Sequence, residues 1–248
     1  MYNFSDISII LVETQSQGNL GAVARVMKNM GLSQLVLVDC QTEIGDESFR
    51  RSCGAEKLLE NANQVTGLSN ALAPFHLSIG TTSRSVRWFS AVCSPGDLIK
   101  NLVSLSPDQK VAIVFGPERT GLTNHHLRYC QWQLKIPTDS QFVSLNLAHS
   151  VAIVAYELYQ GSSARQTEPE KLLKLAVRSQ VEAFTQDLEK CLDEIEFLSK
   201  QNPEEVMMTL RQIFSRASLE ERDVCILRGI LRQWRWYAKL NEKTCMSD

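Results

Sequence analysis

Residues Val111–Leu122 read VAIVFGPERTGL. The first five form a short unbroken apolar run, the pattern of a strand buried on both faces. Gly116-Pro117 ends the run with a turn signal, and Glu118, Arg119 and Gly121 follow. The stretch therefore reads as the C-terminal end of a central strand opening into a loop. In open α/β sheets that is where ligands bind, and glycines there let a ligand approach the backbone closely. An ordinary strand-to-loop turn carrying surface charges fits the same letters.

Upstream, Ile7–Val12 (ISIILV) is a second buried-type strand, followed by the polar loop ETQSQGN. Leu20–Met30 has helical periodicity through Val23, Val26, Met27 and Met30, with Gly31 as its stop and Leu35–Val38 as the next strand. Strand, loop, helix, strand in that order predicts a parallel sheet. Asn19 stands where an N-cap belongs. Asn19 and Arg25 could also meet a phosphate or ribose at the helix N-terminus. The glycines do not follow G-x-G-x-x-G, so no dinucleotide fingerprint is present. Residues 46–64 read as helical. His76–Ile79 reads as a short strand ending in Gly80-Thr81-Thr82-Ser83-Arg84, a turn or a contact point for a small polar ligand. Arg84 and Arg87 fall in the loop beyond, where they face phosphate or solvent, and a helix is expected over Asp97–Leu105.

Downstream, Asn124–Tyr129 begins a short helix with Thr123 as N-cap, and Trp132–Ile136 is another strand. Ser144-Leu145-Asn146-Leu147 opens a long helix to Tyr159, with Leu147, Val151, Val154 and Leu158 on its apolar face. Asn146 inside a first helical turn is a mild misfit, because Asn is a mediocre helix former, and the misfit hints at function. Residues 161–170 form a polar linker, which separates a domain over 1–160 from helical segments over 171–248. Those segments comprise one long pattern over 171–200, then Pro203–Phe214 and Glu220–Leu240. From Glu168 to Glu205 there are ten acidic and five basic residues; from Met207 to Lys243 there are eight basic and four acidic. Arg228, Arg232 and Arg235 recur at helical spacing beside Trp234, Trp236 and Tyr237. Basic residues interleaved with aromatics suit RNA, and equally a solvated face beside core tryptophans.

The chain has 248 residues, 44% hydrophobic and 22% charged, with a net charge of -2, so no global basic signature marks a nucleic-acid partner. Seven cysteines, an odd number without CxxC spacing, argue against a zinc site or a disulfide framework and fit reduced thiols. No metal-ligand spacing appears. Neither a signal peptide nor a membrane-length apolar run is seen, and a cytoplasmic protein is expected.

Three blocks together carry more than each alone: GNLGAVARVMKNMG (18–31), IVFGPERTGL (113–122) and IPTDSQFVSLNLAHSVAIVAYE (136–157). In order and content they resemble the three motifs of the SpoU/TrmH class of SPOUT 2'-O-ribose RNA methyltransferases. The GTTSR loop and a helical extension ending near LRGILR resemble the TrmJ subgroup. The resemblance implies an α/β fold, a SPOUT parallel sheet with a C-terminal trefoil knot, followed by a small all-helical extension. It implies S-adenosylmethionine as methyl donor, no metal, tRNA as substrate at ribose 32 of the anticodon loop, and a homodimer whose active sites combine both subunits. Carried onto this chain, it implies a donor site at Thr81, Thr82, Ser83, Gly116, Gly121, Ile136, Val143, Ser144 and Leu145. The functional side chains would be Asn19, Arg25, Glu118, Ser144 and Asn146. RNA contacts are expected at Arg84, Arg87, Arg228, Arg232 and Arg235. Family members commonly have a Ser where this chain has Val143, so a role needing a hydroxyl there is not carried over.

Ribose methylation needs oriented reactants and one managed proton. Arg25 as a simple base is costly, since a guanidinium keeps its proton to above about pH 12. Three other readings stay open: the same chemistry on rRNA or another tRNA position, a catalytically silent RNA-binding factor, and a dinucleotide-dependent enzyme, which lacks its fingerprint here.

Overall fold

Val111–Phe115 lies at the middle of a seven-stranded sheet with all five residues buried. The computed structural model describes residues 4–84, 91–106, 108–163, 173–198 and 202–245. In chain order the elements are β1 (Ile7–Val12), α1 (Gln17–Asn29), β2 (Gln34–Val38), α2 (Asp46–Ser52), α3 (Glu56–Glu60), β3 (Asn63–Val65), α4 (Leu68–Leu72) and β4 (Leu77–Thr81). They continue with β5 (Ala91–Cys93), α5 (Pro95–Val103), β6 (Val111–Phe115), α6 (Asn124–Leu127), β7 (Trp132–Leu134) and α7 (Leu147–Ser163). Three helices follow: α8 (Arg178–Glu194), α9 (Pro203–Arg216) and α10 (Glu221–Cys245).

The strand order is β3-β2-β1-β6-β4-β7-β5, and every neighbouring pair is parallel. Successive side chains of a strand point to opposite faces. Ile7, Ile9 and Leu11 pack with Leu20, Val23 and Met27 of α1 and Val151, Val154 and Leu158 of α7. Ile10 and Val12 pack on the other face with Leu68 and Leu72 of α4 and Leu127 of α6. Coverage of both faces is why β6 is a continuous apolar run and β1 is one broken only by Ser8.

Several boundaries differ from the expected ones for local reasons. Helix α1 begins at Gln17, because Ser16 rather than Asn19 is its N-cap and the Ser16 hydroxyl accepts from the Asn19 N–H at 3.3 Å. Such a cap stabilises a helix by about 1 kcal/mol. The expected helix over 46–64 breaks into α2 and α3 at Cys53 and Gly54, which take φ of 45° and 93°, and then becomes β3. Residues 173–177 are extended rather than helical, with Leu173 bridging Leu105 and Leu175 bridging Glu220. Helix α7 continues to Ser163; residues 164–170 of the expected linker lie outside the described residues.

The last three helices bury a cluster of their own, with Phe184, Leu188, Leu192, Met207, Val224 and Leu231 at its centre. Phe184 and Phe214 meet edge to face, centroids 4.8 Å apart. Burying Phe184 contributes about 1.5–3 kcal/mol. Helix α10 lies on α8 with Arg228 paired to Asp187 at 2.9 Å and Arg235 paired to Glu194. Arg211 of α9 reaches Glu182 at 2.6 Å. The module is anchored to the sheet domain where the Arg178 N–H donates to the Phe75 carbonyl at 2.8 Å and Gln109 Nε2 donates to the Leu175 carbonyl at 2.9 Å.

Candidate active site

The C-terminal ends of β4, β6 and β7 open into loops that wall one cavity of about 180 Å³. Thr81, Thr82 and Ser83 form one side, Gly116 to Gly121 a second, and Ile136 with Val143, Ser144 and Leu145 a third. All nine residues expected at a donor site line this cavity, as do Phe115, Leu134 and Leu147. The chemistry is mixed in a useful way: hydroxyls on one wall, exposed main chain on the second, aliphatic carbons on the third. Gly116 admits the crossing of two chain segments, because a Cβ there would collide with the main chain of Gly121 and Leu122. Gly121 takes φ of 63°, and nothing lies within 4 Å of where its Cβ would stand, so its backbone edge stays open. Those features fit an adenosyl group with a charged amino-acid end, held by backbone polar groups and packed on aliphatic carbons.

Beside the cavity, three sequence-distant side chains form one hydrogen-bonded chain. Glu118 Oε2 accepts from the Gln15 N–H at 3.1 Å; Oε1 accepts from the Ser16 N–H at 3.2 Å and from Asn19 Nδ2 at 2.9 Å. Asn19 Oδ1 accepts from Asn146 Nδ2 at 3.1 Å. Asn146 Oδ1 accepts from the N–H groups of Ala148 at 2.8 Å and His149 at 3.4 Å. Both amide orientations are fixed by chemistry. A carboxylate only accepts, so Asn19 presents its nitrogen to Glu118 and its oxygen to Asn146. Helix N–H groups only donate, so Asn146 turns its oxygen to α7 and its nitrogen to Asn19.

Asn146 is thus the N-cap of α7 rather than a residue of its first turn, which removes the misfit noted in the sequence. Ser144 and Leu145 precede the helix, in the cavity wall. Ser16 and Gln15 belong to the constellation and were missed; the signal available was a serine three residues ahead of Asn19 in a polar loop. Phe142, 78% exposed, stands next to the cavity-lining Val143.

The structure does not bring every expected residue to the cavity. Arg25 is exposed, lies off the cavity wall, and makes its one hydrogen bond among the described residues to the Cys53 thiol at 3.4 Å. The Arg84 guanidinium donates to the Leu122 carbonyl. Arg87 lies outside the described residues. Arg228 and Arg235 are engaged by the acids of α8, whereas Arg232 is exposed with no ion pair among the described residues.

Burial pushes the Cys130 thiol up to about 12 and the Cys93 thiol up to about 11, which makes both inert at neutral pH. Burial also lowers the His126 imidazole, against a partial opposing pull from Glu13. Its Nδ1 accepts from the Thr123 N–H at 3.4 Å and its Nε2 faces Glu13 at 3.5 Å. Among the described residues no group of His, Cys, Asp and Glu is arranged to hold a metal, and no helix is long and apolar enough to cross a membrane.

A parallel sheet thus carries a loop-walled cavity at its strand ends, with Glu118, Asn19 and Asn146 tied together beside it. The model of the SpoU rRNA Methylase family matches residues 6–156, and that of the tRNA methyltransferase TrmJ C-terminal domain matches residues 179–244. The chain belongs to the SpoU methylase family, in its TrmJ branch. A tRNA (cytidine/uridine-2'-O-)-methyltransferase TrmJ of Photorhabdus laumondii is 38% identical over 94% of this chain and 98% of its own. A tRNA (cytidine/uridine/adenosine-2'-O-)-methyltransferase TrmJ of Pseudomonas aeruginosa is 36% identical over 94% and 95%. The crystal structure of TrmJ from Z. mobilis ZM4 superposes with a TM-score of 0.81 at 28% identity, covering 92% of this chain and 98% of that one.

Proposed function

We propose that this protein transfers a methyl group from S-adenosylmethionine to a ribose 2'-OH of tRNA, at nucleotide 32 of the anticodon loop. The observation that carries this is the hydrogen-bonded chain from Glu118 through Asn19 to Asn146, set beside a cavity that all nine expected donor-site residues line. The family's trefoil knot belongs to the same reading. Segments that follow different strands, 116–121 and 143–147, close on one cavity, which supports it. The TrmJ-type C-terminal match favours tRNA over rRNA as the substrate. Two relatives differ in whether adenosine appears in their names, so base preference is a property to be measured.

The donor supplies an electrophilic methyl on a sulfonium that is its own leaving group. The chain's part is orientation and one proton. Arg25 holds the phosphate next to the target ribose and stabilises charge developing on the 2' oxygen, while the proton passes to phosphate or water. Asn19 and Ser144 fix the ribose and the arginine. Both oxygens of Glu118 are committed to amide donors, so it organises the loops and does not take the proton. Asn146 joins the first block to the third.

The working site in this reading is composite: Arg25 of the partner subunit completes each cavity in a homodimer. The position of Arg25 away from the cavity of its own chain supports this, as do the exposed Ile153, Tyr156 and Tyr159 on the outer side of α7. Residues 1–160 carry catalysis and residues 171–248 bind tRNA. A separate hydrophobic cluster in the helical module supports that division. Of the three α10 arginines expected at RNA, Arg232 has no ion pair among the described residues, with Trp236, 57% exposed, one turn further on.

The test is transfer of labelled methyl to total tRNA followed by mapping of the modified ribose. Label at ribose 32 supports the reading. Label elsewhere on tRNA keeps the chemistry and corrects the position; no label, with no donor binding by calorimetry, overturns it.

A further inference from the structure

The loop that follows β4 and the loop that follows β6 face each other across the cavity, Thr82–Ser83 on one side and Gly116–Gly121 on the other. At their roots they are joined by Thr81, whose hydroxyl donates to the Val114 carbonyl at 2.9 Å. At their tips they are joined by Arg84, whose guanidinium donates to the Leu122 carbonyl. Both ends of that second link are held. The Arg84 N–H donates to Thr82 Oγ1 at 3.2 Å, and the Arg84 carbonyl accepts from Gln133 Nε2 on β7. The Leu122 side chain is buried in the core under α4 and α6. No other donor reaches the Leu122 carbonyl among the described residues.

We propose that Arg84 is a positioning residue for the methyl-donor cavity: its guanidinium is a strut between the two facing loops and sets the width of the cavity mouth. The Arg84 guanidinium has a partner in its own chain, and the expected RNA contact is the competing outcome of the test. The inference rests on the donor-cavity reading given above. A hydrogen bond from a charged donor is about twice as strong as a neutral one. Without it the Gly121–Leu122 wall loses its fixed distance from Thr82, and the donor must order that wall on binding.

The experiment compares Arg84→Ala, Arg84→Met and Arg84→Lys with the wild type, measuring S-adenosylmethionine affinity by calorimetry without RNA, tRNA affinity at fixed salt, and the donor KM and kcat. Arg84→Met keeps the aliphatic stem and serves if Arg84→Ala does not fold. The expected result for Ala and Met is donor affinity weakened about tenfold, equivalent to one charged hydrogen bond. Activity should recover at saturating donor, tRNA affinity should change less than about twofold, and Lys should restore part of the donor affinity. Unchanged donor affinity with weakened tRNA binding overturns the strut and returns Arg84 to RNA. If the wild type binds no S-adenosylmethionine, the donor-cavity reading has failed instead. Amide exchange across residues 116–122 then still tests the strut, since faster exchange in the Met variant supports it and unchanged exchange rejects it.

Discussion

Asn19 and Asn146, 127 positions apart, are joined by one hydrogen bond of 3.1 Å from Asn146 Nδ2 to Asn19 Oδ1. The same Asn146 caps α7 with its oxygen. One side chain therefore does two separable jobs, one for the helix and one for the site.

Asn146→Asp separates them. Aspartate caps a helix as well as asparagine, but it presents an oxygen to the Asn19 oxygen. The melting temperature should stay close to wild type while methyl transfer falls about 10- to 100-fold through misplacement of Asn19. Asn146→Ala should lose both, with about 1 kcal/mol of stability gone. Wild-type activity in Asn146→Asp would show that the link to Asn19 is irrelevant.

A composite site predicts complementation. Arg25→Ala and Asn146→Ala should each be inactive as homodimers. Unfolded and refolded together in equal amounts, they should regain about a quarter of wild-type activity, because about half the dimers are mixed and each mixed dimer has one intact site. No recovery, with mixed dimers shown by mass spectrometry, would place Arg25 in the site of its own chain.

The His126 ring sets a pH dependence. Burial lowers its pKa in the folded protein, so the unfolded chain binds the proton more readily. Its contribution is complete above the unfolded value near pH 6.5 and is lost as pH falls from there through the folded value. His76, also lowered by burial, acts in the same direction. The melting temperature should drop between pH 7.5 and pH 5.5, and His126→Gln should flatten that slope. An unchanged slope in the variant would assign the effect to other groups.

Cys53 holds φ of 45° without being glycine. Cys53→Gly removes the left-handed penalty of about 1 kcal/mol and gives part of it back in unfolded-chain entropy. The net expected is a gain of about 0.5 kcal/mol, or about 1–2 °C in melting temperature. A fall in melting temperature would mean that the contact from Arg25 to the Cys53 thiol matters more than the backbone.

Strands β1 and β6 were readable because burial on both faces leaves nearly only apolar letters, as in ISIILV and VAIVF. Boundaries fixed by a single side chain were not. Ser16 sits in a loop of several polar residues, and only the fold selects it over Asn19 as the cap. The break at Cys53 was hidden because a cysteine carries the left-handed turn, although Gly54 beside it was a clue. The cavity residues were accessible through the second and third blocks and the GTTSR loop. Their links were not, since Glu118 and Asn19 are 99 positions apart and no local period joins them. Arg228 and Arg235 of α10 read as free because their partners lie on α8, 41 positions earlier. The equal seven-residue spacing of Asp187 with Glu194 and of Arg228 with Arg235 was present in the letters, but only packing of the two helices gives it meaning.

The long separations within the Glu118–Asn19–Asn146 chain also say when the site comes into being. Contacts that close large loops form slowly, after their entropy has been spent. A nascent chain that has reached Glu118 already has the partner for Gln15, Ser16 and Asn19, but nothing joins that pair to α7 until Asn146 has left the ribosome. Competence to methylate is thus among the last properties the sheet domain acquires during synthesis, and fragments ending before Asn146 lack the tie from Asn19 to α7.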